Sequence, residues 1–566
     1  MTRPTRVVLD GRTLSYAEVV AVAEHGAGVA LEDGVLPRLT RERAVVDDAV
    51  DRRVPVYGLT TGLGSRASYA LPREELAEFS VRTVRGRANA VGDPLPVPLV
   101  RAAVLARVNG LAGGGSGVRP EIPRLLVAML NARVHPVIPE TGSIGASDLC
   151  QLAHVGLVVI GEGRAEFGGE LLDGGTALRR AGLAPAVLGP KDGPVLCGAS
   201  PLAAGQGALV LHEAAALLTL AQAVTALTYE GFRANTSPLD PRVLRLRPAP
   251  GQSRAAAELL ALLDGGALND PRQARRVQDP LSLRCAAQVH GALHTALDFA
   301  DAALRPELNG CGDNPVVVAG GYGDGSVQLP GGCGDDPVGL PDSRSDDPVE
   351  LPDSYSDDPV ELPDGCSDGP VEVPGAGGIL SSGNFHTPAL ALAFDTLALA
   401  LTQTASLSAE RMRRLLTPAV SGLPANLSPY GPERSGFAPL TKTAQSLVAE
   451  IRMLSVPVCT DPRHGADAVE DDSTNASLGA RRLATLLVRL RQLLAVEALV
   501  AAQAVDLAAP PALGRGPRVL HRAIRAVVPP LDDDRGCGVD VTVVEREVLG
   551  SEEVRGAVGE MVGGVG

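Results

Sequence analysis

Three long segments of helical periodicity limit what this chain can fold into more than any other feature. Apolar residues occupy most faces of each segment and polar residues are sparse, which is the pattern of helices buried among other helices. Helices of this length need other long helices to cover them, so the pattern predicts a mainly α fold with a long central helical bundle. The three segments are 201–232, 387–416 and 476–509.

The rest of the sequence divides around this bundle. Residues 1–200 alternate short helical patterns with glycine-rich stretches such as VYGLTTGLGSRA, which favour tight turns because glycine adopts backbone angles that other residues avoid. Residues 201–510 contain the predicted bundle. Residues 511–566 are polar and glycine-rich, and they predict a small helix with a loose end.

An eleven-residue repeat, DDPVELPDSYS and its variants, interrupts the bundle at residues 333–374. Proline recurs at two positions of each copy, which excludes helix, and acidic residues with few large apolar ones cannot offset the entropy of ordering. We interpret the repeat as a flexible acidic surface insertion. Calcium binding by its aspartates is the alternative, although the copies lack the glycine-rich spacing of calcium-binding repeats.

Charge and cysteine spacing argue against several function classes. The net charge of −15 argues against nucleic acid as a partner, because such binding relies on Lys and Arg neutralising phosphates. The start lacks the apolar core of a signal peptide and no segment is expected to span a membrane, so we expect a cytoplasmic location. The eight cysteines form no CxxC pairs, which predicts reduced thiols and no metal site. A small molecule is the expected partner.

Several short motifs occur in an order that resembles one enzyme family. Any one of them is weak, but together, from about Leu14 to Leu507, they are similar to the aromatic amino acid lyases, which include histidine, phenylalanine and tyrosine ammonia-lyases and aminomutases. The resemblance implies a helical homotetramer whose active sites contain residues of more than one subunit. The motifs are VYGLTTGLG at 56–64, GGSGVRPEI at 114–122, GSIGASDL at 142–149, GPKDGPVLCG at 189–198, VQDPLSLRC at 277–285, DNPVVV at 313–318, SSGNFH at 381–386 and VEDD at 469–472.

The resemblance also implies a prosthetic group that this sequence does not fully supply. Members of the family form a methylidene-imidazolone from an internal Ala-Ser-Gly, in which the glycine nitrogen attacks the alanine carbonyl and the serine loses water. Here the sequence reads Ala146-Ser147-Asp148, where the family has Ala-Ser-Gly-Asp. The ring nitrogen would have to come from Asp148, whose Cβ crowds the compressed turn. We therefore expect no cofactor, unless the ring forms from residues 146–148.

Two other departures fall on substrate-binding positions beside the ring. Cys197-Gly198 stands where the family has Asn-Gly, so that a weak thiol donor replaces a two-sided amide. Leu281 stands where the family has a tyrosine after Gln-Asp-Pro, and leucine cannot transfer a proton. The family's electrophile and its surroundings are thus altered together.

The remaining motif positions match the family. By this resemblance Tyr57 is the catalytic base, and Arg284 clamps the substrate carboxylate, for which a forked guanidinium is well suited. Gly86-Arg87 is the exception: it falls near the position that helps to select the substrate ring, but it matches neither the Ser-His pair nor the apolar pair that the family carries there. The charge of Arg87 favours an acidic or polar substrate. The other matching substrate-binding positions are Gln278, Asn314, Phe385 and Glu470.

Three hypotheses follow from these observations. In the first, the protein is an enzyme of this family without the ring, in which Tyr57 acts as an acid or base. The reaction is then an elimination, conjugate addition or cyclisation on a carboxylate- or carbonyl-bearing biosynthetic intermediate. In the second, it is a genuine amino-acid ammonia-lyase or aminomutase that tolerates Ala-Ser-Asp. In the third, it is a catalytically silent relative that acts as a binding partner.

Overall fold

The described part of the chain is mainly helical, as its periodicity predicts. A computed structural model describes residues 5–318, 378–431, 433–460 and 469–563. Within these ranges β-structure is limited to four small sheets. The acidic repeat at 333–374 lies outside the described residues, so its interpretation stays a prediction.

The N-terminal part combines short helices with short strands. β1 pairs with β2 in parallel, β3 pairs with β5 antiparallel, and β4, β6 and β7 form an antiparallel sheet. The strands are β1 (Arg6–Leu9), β2 (Gly28–Leu31), β3 (Val91–Pro94), β4 (His135–Pro136), β5 (Pro139–Thr141), β6 (Arg164–Phe167) and β7 (Glu170–Asp173). The helices are α1 (Tyr16–Ala23), α2 (Val35–Asp51), α3 (Leu76–Arg87), α4 (Val97–Gly113), α5 (Glu121–Ala132), α6 (Leu149–Val159), α7 (Gly174–Arg180) and α8 (Asp192–Cys197).

The central part contains the predicted bundle. The three long segments form α9, α14 and α17, and each observed helix begins and ends within one residue of its predicted bounds. The helices are α9 (Pro201–Phe232), α10 (Pro241–Arg245), α11 (Gln252–Leu263), α12 (Leu281–Arg284), α13 (Ala286–Asn309), α14 (Pro388–Leu415), α15 (Pro418–Ser421), α16 (Leu440–Leu454) and α17 (Ala476–Ala508). Between α13 and α14, β8 (Val316–Val318) pairs antiparallel with β9 (Gly378–Leu380).

Small residues allow the bundle helices to approach one another closely. The most extensive packing is between α9 and α17, followed by α14 with α17, α13 with α14, and α4 with α9. At Gly205 of α9, an added Cβ would lie 2.7 Å from the backbone of Ala102 in α4, so a larger residue would force these helices apart. The alanine and leucine residues along α9 and α17 therefore pack closely against neighbouring helices, and they also favour the helical conformation.

Two segments are long and apolar enough, by length and hydropathy alone, to cross a membrane. They are Asp192–Phe232, which contains α8 and α9, and Pro388–Leu415, so the expectation that no segment spans a membrane stays a prediction. More than half of the apolar window in each is buried inside the structure. Core helices of a bundle reach this hydropathy because protein surrounds most of their faces.

The C-terminal tail is also more ordered than predicted. It forms α18 (Arg515–Val527), α19 (Cys537–Val543) and α20 (Glu552–Gly563), with a π-helical turn over Val544–Leu549. Helices α18 and α20 pack against α9 and α11. Their buried residues are Leu520, Ile524, Val554 and Val558, whose helical spacing is hidden among polar and glycine residues.

Candidate active site

One cavity of about 390 Å³ brings together most of the residues predicted for the site. One part of its wall is formed by the loop after α2, the C-terminal end of α3, the turn before α6 and the C-terminal end of α8. The other part is formed by the segment after α13, the segment after β9 and the segment before α17. The predicted residues that line it are Tyr57, Arg87, Ala146, Ser147, Cys197, Asn314, Phe385 and Glu470.

Three other predicted residues lie elsewhere in the same chain. Gln278 and Leu281 are on the surface, and Arg284 ends α12. Arg284 precedes the 24-residue helix α13 and Asn314 follows it, so the two lie near opposite ends of a helix about 36 Å long. One chain therefore cannot bring Arg284 and Asn314 into the same cavity.

The loop that carries Tyr57 is held by its own threonine. The Thr60 hydroxyl accepts a hydrogen bond from the Val56 N–H at 2.8 Å and donates to the Val54 carbonyl. The half-buried Tyr57 hydroxyl accepts a hydrogen bond from the Gly64 N–H at 3.0 Å. Because the oxygen accepts, the hydroxyl proton stays available for transfer to or from a molecule in the cavity.

The Ala146-Ser147 turn is enclosed by two other segments. Ala146 pairs with His386 in an isolated antiparallel bridge, and the Thr474 hydroxyl donates to the Gly145 carbonyl at 3.1 Å. Gly145 has φ +87°, and a Cβ there would overlap Thr474, so this position requires glycine. Ser147 also adopts a left-handed conformation, with φ +64°. The turn is compressed, as its motif predicts.

Asp148, predicted as part of the catalytic segment, does not line the cavity. It is fully buried, and its Oδ2 accepts hydrogen bonds from the N–H groups of Leu202 and Ala203 in the first turn of α9, at 3.0 and 3.1 Å. Its Oδ1 accepts from the hydroxyls of Ser477 in α17 and Ser143. Burial raises the pKa of this carboxyl. In the structure Asp148 is an anchor between helices rather than a group that faces the cavity.

The backbone of Asp148 is likewise engaged. Its N–H donates to the Ala199 carbonyl at 2.8 Å, and this bond joins the turn before α6 to the segment between α8 and α9. The amide nitrogen therefore points toward Ala199, a residue of the cavity wall.

The charges around the cavity have a clear distribution. Cys197 is fully buried, and burial raises the pKa of its thiol to about 12, so this wall is neutral. Arg87 brings one positive charge and Glu470 one negative charge to the lining. Burial raises the pKa of the neighbouring Cys150 thiol, while the charge of Arg87 lowers it and the charge of Glu470 raises it.

A buried lysine supports the cavity from behind. Lys191 donates from Nζ to the carbonyls of Ser116 and Pro315, at 2.6 and 3.0 Å. Nearby, Arg107 and Asp313 form an ion pair, and each is less than 5% exposed. Three of the motifs, at 114–122, 189–198 and 313–318, thus meet at Lys191. Their order along the chain gave no indication of this contact.

Part of the cavity lining was not predicted from the sequence. Ser381 and Ser382 line the cavity, and the Ser382 N–H donates to Asn314 Oδ1 at 2.9 Å. The signal was available in the motif SSGNFH, from which only Phe385 was selected. The remaining lining residues are Leu63, Leu149, Pro194, Gly198, Ala199 and Val469.

Replacing Glu307 by glutamine is expected to stabilise the protein at alkaline pH. Glu307 of α13 has no hydrogen-bond or ion-pair partner among the described residues, and burial raises its pKa to about 7. Because the pKa of Glu307 is higher in the folded protein than in the unfolded chain, its neutral carboxyl contributes stability that is fully present below the unfolded-state pKa. This contribution is lost as the pH rises through 7. Glu307→Gln should therefore raise the free energy of unfolding only slightly at pH 5 and by about 3 kcal/mol at pH 8.

Chemical denaturation at the two pH values measures this difference. Glu553→Gln, at an exposed glutamate of α20, is the matched control and should show no such dependence. Equal stability of wild type and Glu307→Gln at pH 8 would contradict the prediction.

Comparison with known proteins finds similar chains that match nearly the whole length of this one. A profile described as aromatic amino acid lyase matches residues 14–526. A histidine ammonia-lyase of Treponema denticola is 35% identical over 549 residues, which cover 97% of both chains. A histidine ammonia-lyase of Gloeobacter violaceus is 37% identical over 561 residues, which cover 98% of both chains.

Solved structures show the same fold. An ergothioneine-degrading enzyme, ergothionase from Treponema denticola, has a TM-score of 0.83 at 28% identity, covering 97% of this chain and 99% of its own. Tyrosine aminomutase from Streptomyces globisporus has a TM-score of 0.81 at 30% identity, covering 98% and 99%. With the family profile and the histidine ammonia-lyases, these likenesses establish that the chain belongs to the aromatic amino acid lyase family.

Proposed function

We propose that this lyase eliminates an amine from a carboxylate-bearing substrate with an imidazole or aromatic ring, using Tyr57 as the acid–base group and no methylidene-imidazolone. The observation that carries the proposal is the position of Asp148. Formation of the ring needs a free amide nitrogen after Ser147, directed at the Ala146 carbonyl. Here that N–H donates to the Ala199 carbonyl instead.

The Asp148 side chain adds a second obstacle to the ring. Four donors, from α9, α17 and Ser143, hold the carboxylate away from the turn. Bringing the nitrogen onto the Ala146 carbonyl would move the carboxylate off these buried donors, which is costly because buried donors need partners. In a family member with the extra glycine, the ring nitrogen and the anchoring carboxylate belong to different residues. In this chain one residue would have to serve both purposes, so the residues present do not fit the group.

The reaction without the ring places a demand on the substrate. Tyr57 first releases its hydroxyl proton to solvent, and the resulting phenolate oxygen then takes a proton from the substrate Cβ. The electrons of the broken C–H bond form the new double bond, and the Cα–N bond breaks with its electron pair on nitrogen. Without an electrophile to activate the amine, the nitrogen must already be a good leaving group. A fully alkylated ammonium meets this demand because it departs as a neutral amine. Ergothioneine, which the Treponema denticola relative degrades, is such a betaine of a histidine derivative.

The carboxylate clamp comes from a second copy of the chain in a homotetramer. Arg284 lies at the far end of α13 from Asn314, and its buried Nε has no hydrogen-bond partner in the described part of the chain. Its neighbour Leu281 is 63% exposed, although it is apolar. A further copy packed on this surface would cover Leu281 and bring Arg284 and Gln278 to the cavity.

A second candidate function is ordinary deamination, with the ring formed from Ala146, Ser147 and Asp148. The names of the curated relatives favour this candidate more than the first, since histidine ammonia-lyases match nearly the whole chain at 35–37% identity. The structural argument at Asp148 favours the first candidate.

Intact mass and near-ultraviolet absorbance separate the two candidates. If no ring forms, we expect the purified protein to have the mass of its sequence and no absorbance beyond that of its aromatic side chains. The matched control is Ser147→Ala, which cannot form the ring. Its difference spectrum against wild type should then be flat. A wild-type mass lower by two water molecules, together with an absorbance that Ser147→Ala lacks, would contradict the first candidate and support the second.

A further inference from the structure

Arg87 is an unpaired guanidinium in the wall of the active-site cavity. It ends α3 and is half-buried, and its side chain makes no hydrogen bond or ion pair within the described residues. Other arginines of the same helix behave differently. Arg82 pairs with Glu75 and Glu78, and Arg85 pairs with Glu162, all on the protein surface. The unpaired arginine is therefore the one that faces the cavity.

The surroundings of Arg87 do not neutralise its charge. Its field acts on the thiols of Cys150 and Cys197, both of which burial keeps in the neutral form. Glu470 lines the same cavity but makes no ion pair with Arg87. A partly desolvated cation without an anion is unfavourable, and a ligand that supplies an anion removes that penalty. A guanidinium is also the side chain whose geometry best matches planar anionic groups.

We propose that Arg87 binds a second anionic group, carried by the substrate at the end remote from its reacting carbon. This inference rests on the proposed function, in which Arg284 binds the carboxylate next to that carbon. The substrate class is then a carboxylic acid whose ring side bears a further acidic group, such as a carboxylate, a sulfonate or an ionised thiol.

The test compares two probes that differ only in charge. Both are analogues of the unsaturated product: 4-carboxycinnamate, which carries the second anion, and 4-carbamoylcinnamate, which has the same shape without the charge. Isothermal titration calorimetry on the assembled full-length protein measures the dissociation constant of each. We expect wild type to bind 4-carboxycinnamate about 10- to 100-fold more tightly, as is usual for a hydrogen-bonded charge pair.

Three variants assign the preference to Arg87. Arg87→Gln should bind the two probes equally, and Arg87→Lys should keep part of the preference because it keeps the charge without the fork. Arg85→Gln, two residues away in the same helix but outside the cavity, should behave as wild type. Circular dichroism checks that each variant is folded, and Arg87→Lys keeps the test informative if Arg87→Gln is not.

Two results would overturn the inference. The first is that the wild-type protein binds both probes equally tightly or binds neither. The second is that Arg87→Gln weakens the binding of both probes by the same factor, since this would place Arg87 at the carboxylate beside the reacting carbon. Because binding at equilibrium needs no turnover, the outcome does not depend on whether the protein proves to be the proposed lyase.

Discussion

Tyr57→Phe is expected to lower kcat/KM by about 10²- to 10⁴-fold, the usual contribution of a positioned acid–base group. The change removes one oxygen and leaves the ring, so the stability of the fold should be almost unchanged. The Gly64 N–H loses its acceptor, but the loop keeps the hydrogen bonds of Thr60. Turnover should be measured on histidine, tyrosine and ergothioneine, the compounds after which these relatives are named.

Tyr69 offers a matched control for this prediction. It lies in the same loop region but is 66% exposed and does not line the cavity. Tyr69→Phe should retain wild-type turnover. Activity that survives Tyr57→Phe would show that another group transfers the proton. A wild-type protein that binds product analogues but turns over none of these substrates would favour the third hypothesis, a silent relative that acts as a binding partner.

Asp148→Ala is expected to destabilise the folded protein by about 3–5 kcal/mol, the cost of removing a buried charged group from its partners. The substitution leaves two backbone N–H groups of α9 and the hydroxyl of the buried Ser477 without their acceptor, whereas the Ser143 hydroxyl can still donate to the Ser147 carbonyl. Asp148→Asn should lose less stability, because its side-chain oxygen can still accept hydrogen bonds from the N–H groups of α9. Urea denaturation at constant protein concentration measures the difference, because the apparent stability of any protein that self-associates depends on its concentration.

The neighbouring serine provides the contrast. Ser147 lines the cavity and its hydroxyl makes no hydrogen bond within the described residues, so Ser147→Ala should change stability by less than about 0.5 kcal/mol. If Asp148→Ala were as stable as Ser147→Ala, the anchor would be unimportant. The argument that the Asp148 nitrogen cannot close the ring would then lose its main support.

Some of the site could be predicted from sequence and some could not. The motifs around Tyr57, Ala146, Asn314 and Phe385 identified residues that meet in one cavity, but only through resemblance to a family. Periodicity and composition alone pointed to none of them. Arg284 was predicted for the same site by the same motifs, but one chain cannot bring it there because α13 separates it from Asn314. Motifs record which residues are retained, but not which copy of the chain supplies them.

The sequence by itself determined the long helices, because a spacing of 3.6 residues between apolar side chains is a local property that any window of α9, α14 or α17 displays. Only the tertiary structure decided how Asp148 is used. The four donors around its carboxylate come from segments as far away in sequence as Ser477, and no local pattern reports such contacts. The same reason explains why Arg87 stands out only in the fold. Its lack of a partner is a property of everything that surrounds it, and sequence neighbours are a small part of those surroundings.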